Sequence, residues 1–87
     1  MNKQQIEISI RTLQSTISAR AKMITHVQKS VISRKGFMIA DKNKDDLYRA
    51  HVSLYKAYRK LYRQLTLEQQ AAKALLRHLY RLRATIQ

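Results

Sequence analysis

Every tyrosine of this chain is followed at once by a lysine or arginine, and four of the five are preceded by leucine. The triplets are Leu47-Tyr48-Arg49, Leu54-Tyr55-Lys56, Leu61-Tyr62-Arg63 and Leu79-Tyr80-Arg81, with Ala57-Tyr58-Arg59 as a near match. Rows of cations meet phosphates, and tyrosines beside them can stack on unpaired bases or hydrogen-bond a nucleic-acid backbone. The chemistry indicated is recognition of something negative. The first three triplets recur at intervals of seven, and the fourth lies eighteen residues after the third. Those intervals are two and five turns of an α-helix, which predicts one shared face. Leucine is expected to point inward, tyrosine to sit at the border and the cation to face outward.

On a helix starting at Leu47, the side opposite the leucines carries Arg49, Lys56, Arg59, Lys60 and Arg63, and Lys73, Arg77 and Arg81 continue the stripe at spacings of four. These eight are the candidate contacts to nucleic acid or to an acidic protein surface. Tyr48, Tyr55, Tyr62 and Tyr80 are the candidate edge contacts. Tyrosine at a core edge is equally an amphipathic filler, ring buried and hydroxyl wet. A helix-turn-helix over 43–65 and 67–86 would offer Lys73, Arg77 and Arg81 to a major groove. Those spacings suit phosphates equally well, and the turn lacks the usual glycine.

Charge carries the strongest global signal. The chain of 87 residues has a formal net charge of +13. No acid lies between Glu7 and Asp41, between Asp46 and Glu68, or after Glu68. Asp41, Asp45 and Asp46 cluster where a second helix should begin, as the helix dipole favours. Elsewhere the bases have almost no intrachain partners, and the cationic face has no glutamate four residues upstream of a base to support an exposed helix. A surface built for solubility intersperses both signs, whereas this one carries a self-repulsion that a polyanion relieves.

Other chemistries find no constellation. No two of His26, His51 and His78 sit three or four apart, and there is no cysteine, so no metal site is expected. Serines and threonines abound over residues 9–33 without a triad, a glycine loop or paired carboxylates. No enzyme, cofactor or small-molecule substrate is expected. The absence of cysteine excludes a disulfide scaffold and points to a cytoplasmic protein, with nucleoid association compatible. The longest apolar run, Phe37 to Ala40, is four residues, against about twenty for a membrane span. The basic, hydroxyl-rich first 35 residues have the composition of a transit peptide, but their regular apolar spacing predicts a structural helix. Leu-Tyr-Arg at Leu47, Leu61 and Leu79 is similar to the mitochondrial Leu-Tyr-Arg-motif family of iron–sulfur and respiratory assembly adaptors. That family places the motif near the N-terminus with a phenylalanine downstream. Here the tripeptides are central or late and Phe37 precedes them all, so no family role is carried over.

The elements that must position these residues are helical. One glycine, no proline and 45% hydrophobic residues predict a single all-α domain over 1–87. Ile6, Ile10, Leu13, Ile17, Ile24, Val27 and Val31 alternate by four and three, with Arg20 in the missing place, which predicts a seamed helix over about 4–34. Gly36 is expected to end it, with 35–43 as a connection and Asn43 or Asp41 as the next N-cap. A second seam is expected through Leu47, His51, Leu54, Tyr58, Leu61, Leu65, Glu68, Ala72, Leu75, Leu79, Leu82 and Ile86. Its constant phase predicts one helix, yet Thr66-Leu67-Glu68-Gln69 has the form of a capping box. Two architectures follow. The long first helix packs antiparallel on one long helix, as a hairpin prone to self-association, or on two helices of about 44–65 and 67–86, as a three-helix bundle. The expected function is a small basic binding protein that engages nucleic-acid backbone largely without reading sequence. The alternative is a protein–protein adaptor or inhibitor, of the kind phages and plasmids encode, docking on an acidic partner or a nucleic-acid-processing complex.

Overall fold

The computed structural model of the chain describes residues 2–86. Two helices, α1 (Lys3–Ala40) and α2 (Asp45–Thr85), pack antiparallel as a hairpin. It measures 66 × 15 × 13 Å with a radius of gyration of 19.2 Å, against about 12 Å for a compact chain of this length. No third layer covers it. Among the described residues no helix is long and apolar enough to cross a membrane.

A capping box starts α1: the Asn2 Oδ1 accepts from the Gln5 N–H at 2.8 Å and the Gln5 Oε1 accepts from the Asn2 N–H at 3.0 Å. The pattern Asn-x-x-Gln ahead of the apolar seam is the sequence signature of this cap. Gly36 does not end α1. It is helical, without positive φ, and the helix closes at Asp41, whose N–H bonds the Phe37 carbonyl at 2.9 Å. Glycine costs a helix about 1 kcal/mol, and the extra turn lets Phe37 stack on His51 beside Arg34. The N-cap of α2 is Lys44, with no side-chain bond to the first turn, in place of Asn43 or Asp41. Asp45 and Asp46 do occupy that first turn, beside its positive dipole end.

Burial defines the seam. Writing each helix as heptads, α1 has Ile10, Ile17, Ile24, Val31 and Met38 at a and Ile6, Leu13, Arg20, Val27 and Arg34 at d, all buried or half-buried. This is the expected seam, carried one heptad further. In α2 the d column is His51, Tyr58, Leu65, Ala72, Leu79 and Ile86, also as expected and all at least half-buried. The other column differs. It is Tyr55, Tyr62, Gln69 and Leu76 that turn toward α1, between the exposed ends Tyr48 and Arg83. The expected Leu47, Leu54, Leu61, Glu68 and Leu75 are exposed, while Leu82, the last of that column, is half-buried on the core as expected. Three of the four triplets thus run g-a-b, with leucine outside and tyrosine in or beside the seam. Only Leu79-Tyr80-Arg81 runs d-e-f, with Leu79 buried, Tyr80 half-buried and Arg81 exposed. A supercoiled pair repeats every 3.5 residues rather than 3.6, so eighteen residues move a triplet from g to d.

α2 is unbroken at Thr66, and the three-helix bundle does not form. The Thr66 hydroxyl donates to the Tyr62 carbonyl at 2.8 Å, a bond back to its own preceding turn. Gln69, which would have closed a capping box, is 6% exposed in the seam. Its Nε2 donates to the Ile17 carbonyl at 2.8 Å and its Oε1 accepts from Arg20 Nη1 at 3.2 Å. Glu68 stands outside this layer, 3.8 Å from Arg20. Burying a neutral amide costs less than burying a carboxylate. Tyrosine rings bury at least as much apolar area as leucines, so this polar layer favours the tyrosine column over the leucine column.

The two ends of the hairpin differ. At the end bearing residues 2 and 86, Ile6, Ile10 and Leu79 form the core, with Leu13, Leu76, Tyr80, Leu82 and Ile86 packed on them. At the turn, the His51 ring stacks on Phe37 at 5.3 Å and 17°. Its Nε2 lies 3.1 Å from Asp41 Oδ2 and its Nδ1 3.3 Å from Arg34 Nη1. A guanidinium only donates, so Nδ1 is the acceptor and Nε2–H donates to Asp41.

Candidate nucleic-acid interface

Heptad geometry sorts the eight candidate cations onto one side of α2. Arg49, Lys56, Arg63 and Arg77 stand in the b column, Arg59 and Lys73 at e, and Lys60 and Arg81 at f; all eight are exposed. Successive b residues are about 10 Å apart at 1.5 Å per residue. Gln70 breaks the b column, and Leu67 and Ala74 break the f column. The face therefore divides into an upper patch, Arg49 to Arg63, and a lower patch, Lys73 to Arg81.

Within the upper patch Lys56, Arg59, Lys60 and Arg63 line one open groove of about 420 Å³. Residues three and four apart on a helix are neighbours at about 5–6 Å between Cβ atoms, so these four cations crowd one another. Among the described residues no carboxylate lies within 4 Å of any of the eight. Three of the five acids are engaged elsewhere, and Asp45 and Asp46 sit in the first turn of α2. Glu7 is 3.6 Å from Arg83, Glu68 meets Arg20, and Asp41 meets His51 and, at 3.9 Å, Lys44. The positive face stands without internal counterions.

The four candidate tyrosines separate. Tyr48 is 38% exposed and keeps a ring face for a ligand. Tyr55 and Tyr62 are half-buried in the seam column. Tyr80 is taken up between the helices: its hydroxyl accepts from Gln14 Nε2 at 2.7 Å, and Arg83 lies over its ring at 5.0 Å. The structure brings the cations together and leaves the tyrosines dispersed.

Two features went unread in the sequence. Tyr62, Arg63, Thr66 and Leu67 line a shallow apolar notch of about 270 Å³ beside the cationic groove. Leu67 on a charged face was its signal. Between α1 and α2, a groove of about 300 Å³ is lined by His26, Lys29, Arg34 and Phe37 on α1 and by Tyr58 on α2. Of the histidines, His51 is committed to the turn, while His26 and His78 are exposed. Among the described residues no group of three or more potential ligands could hold a metal ion. No protein-family model matches the chain, and neither the curated proteins nor the solved structures yield a match.

Proposed function

We propose that this chain is a non-enzymatic protein that engages nucleic-acid backbone through the cationic face of α2, largely without reading sequence. The observation that carries the reading is the groove lined by Lys56, Arg59, Lys60 and Arg63, four exposed cations free of carboxylates among the described residues. A phosphate entering it meets at least two cations at once. Arginine grips phosphate oxygens with a planar fork, and lysine adds a mobile point charge. Arg49 extends the contact toward the turn, and Lys73, Arg77 and Arg81 extend it toward the other end. With Tyr55 and Tyr62 turned toward α1, stacking on bases falls to Tyr48. Backbone contact and counterion release then supply the affinity.

The test is the salt dependence of binding to duplex and single-stranded probes. If all eight cations neutralise phosphates, log affinity for duplex DNA falls with log salt with a slope of about −7, since each contributes about −0.9. Replacing Lys56 and Lys60 by glutamine lowers the slope by about two such contacts. An affinity for both DNA and RNA that stays flat between low and moderate salt overturns the proposal.

A second reading draws on the apolar notch. Leu67 is 66% exposed on this face, where phosphate has no use for it. An acidic protein surface with one apolar anchor would use the groove and the notch together, as an adaptor or inhibitor does. Under that reading Leu67→Ser abolishes partner capture from host extract and leaves polyanion affinity intact. Partners that survive nuclease in a pull-down favour it, and partners that vanish favour the backbone binder.

A further inference from the structure

No cation stands at the g and c positions that make up one side of this molecule. On α1 the g and c positions from Ser9 to Ala40 are Ser9, Thr12, Thr16, Ala19, Met23, His26, Ser30, Ser33, Phe37 and Ala40. On α2 they are Leu47, Ala50, Leu54, Ala57, Leu61, Gln64, Glu68, Ala71, Leu75, His78, Leu82 and Thr85. The chain has 18 lysines and arginines, yet none stands at any of these positions. Two of the hydroxyls on the α1 part bond locally, Thr16 to the Thr12 carbonyl and Ser30 to the His26 carbonyl. On the α2 part Leu47, Leu54, Leu61 and Leu75 are 49%, 39%, 39% and 51% exposed. In a coiled-coil pair g and c face away from the b, e and f columns that hold the cations. α2 therefore has two apolar faces, and α1 covers one of them.

From this face without lysine or arginine at its g and c positions we infer that the chain forms a two-fold dimer in which the g/c faces of two α2 helices pack antiparallel. The pattern is self-complementary. In antiparallel packing each g residue meets a c residue of the other copy. In one register Leu61 meets Ala71 of the second copy, Leu75 meets Ala57, Leu82 meets Ala50, Leu54 meets His78 and Leu47 meets Thr85. The two strongly polar interruptions, Gln64 and Glu68, then meet each other beside the axis as amide donor and carboxylate acceptor. A shift by one heptad sets Glu68 against Ala57 and Leu61 against Gln64, so the polar layer selects the register. Pairing one patch with itself is the isologous arrangement of a two-fold dimer.

Surface area and charge agree with this occupant. The chain exposes 6748 Å², against about 5,400 Å² for a compact monomer of its mass. That excess exceeds the roughly 800 Å² per partner of a standard interface. An acidic helix would find no lysine or arginine at the g and c positions to pair with, only Lys29 and Arg34 lining the groove beside His26 and Phe37, whereas a second copy needs none. The cationic faces of the two copies point outward, separated by more than the Debye length of about 8 Å at physiological salt. The contact angle between the two faces of α2, near a right angle, brings the pair of hairpins into a four-helix arrangement with α1 of each copy on the flank.

Two measurements test it. Sedimentation equilibrium at physiological salt is expected to give twice the mass of the chain at micromolar concentration. Leu54→Glu with Leu61→Glu is expected to give a monomer. Should that variant unfold, cysteine pairing decides, since the chain has no cysteine of its own. Leu61→Cys and Ala71→Cys chains, mixed and oxidised, are expected to form a disulfide-linked dimer, while neither alone does. Like positions in this register are about 15 Å apart at 1.5 Å per residue, beyond disulfide reach. A wild-type monomer throughout the range overturns the proposal and leaves the leucines to another protein. A dimer in which the mixed chains fail to link, or either variant links with itself equally well, overturns the face and register.

Discussion

Gln69 and Arg20 form a polar layer in the middle of the seam, as Arg34 and His51 do at the turn. Removing one partner leaves the other half-buried without its bond, a cost of about 1–3 kcal/mol. Gln69→Leu is therefore expected to destabilise by that amount in urea unfolding. The double change Arg20→Leu with Gln69→Leu is expected to be neutral or stabilising by about 1–4 kcal/mol, so the double-mutant cycle is strongly non-additive. What the apolar double loses is the cue that aligns the helices, visible as a broader set of amide resonances. Gly36 gives the opposite kind of test. A Cβ there meets nothing within 4 Å, so Gly36→Ala should raise stability by about 0.5–1 kcal/mol. A residue needed for a left-handed cap would lose stability on the same change.

At the scale of the element, α1 was legible almost residue by residue, because a lone column pair of isoleucine, leucine and valine stands between neutral flanks. α2 was legible by half. Its d column has an apolar column on either side, leucines at g and tyrosines at a, and both repeat by three and four. Hydropathy prefers the leucines, whereas the structure takes the column that includes Gln69 and leaves Glu68 outside. That choice depends on the carbonyl of Ile17 and the guanidinium of Arg20 across the seam, which α2 alone does not disclose. The cationic stripe survived the rotation because it spans three columns, b, e and f, whereas the tyrosine edge did not. Continuity at Thr66 has its own test in Leu67→Pro. Proline suits the first position after a cap, but inside a helix it costs about 3 kcal/mol or more. The unbroken α2 predicts the larger loss in thermal or urea unfolding, together with a drop in far-ultraviolet ellipticity.

For the whole molecule, charge and shape act together. A net charge of +13 is spread over a rod 66 Å long, with four close cation–carboxylate or histidine–carboxylate contacts among the described residues. Adding sodium chloride screens repulsion between columns that have no internal partner. Stability is expected to rise with salt, and each 1 kcal/mol of repulsion removed lifts the thermal midpoint by about 4–8 °C in a chain this size. Affinity for a polyanion falls over the same range. One titration of sodium chloride, read by calorimetry and by binding, should therefore show two opposite slopes. A midpoint that falls with salt would mean that attractive pairs, not the open cationic face, dominate the surface.

The core of Ile6, Ile10 and Leu79 sits at the end where residues 2 and 86 lie together, while the turn end is held by Arg34, Phe37, Asp41 and His51. Tension between the two chain ends would therefore load the hairpin as a zipper is loaded, one layer at a time. It would meet its stiffest layers first and its polar latch last. Tension between one chain end and the turn would instead slide the helices past each other and strain every layer of the seam at once. The same molecule would then be soft along one pulling direction and stiff along the other, with the Arg20–Gln69 layer as the catch between them.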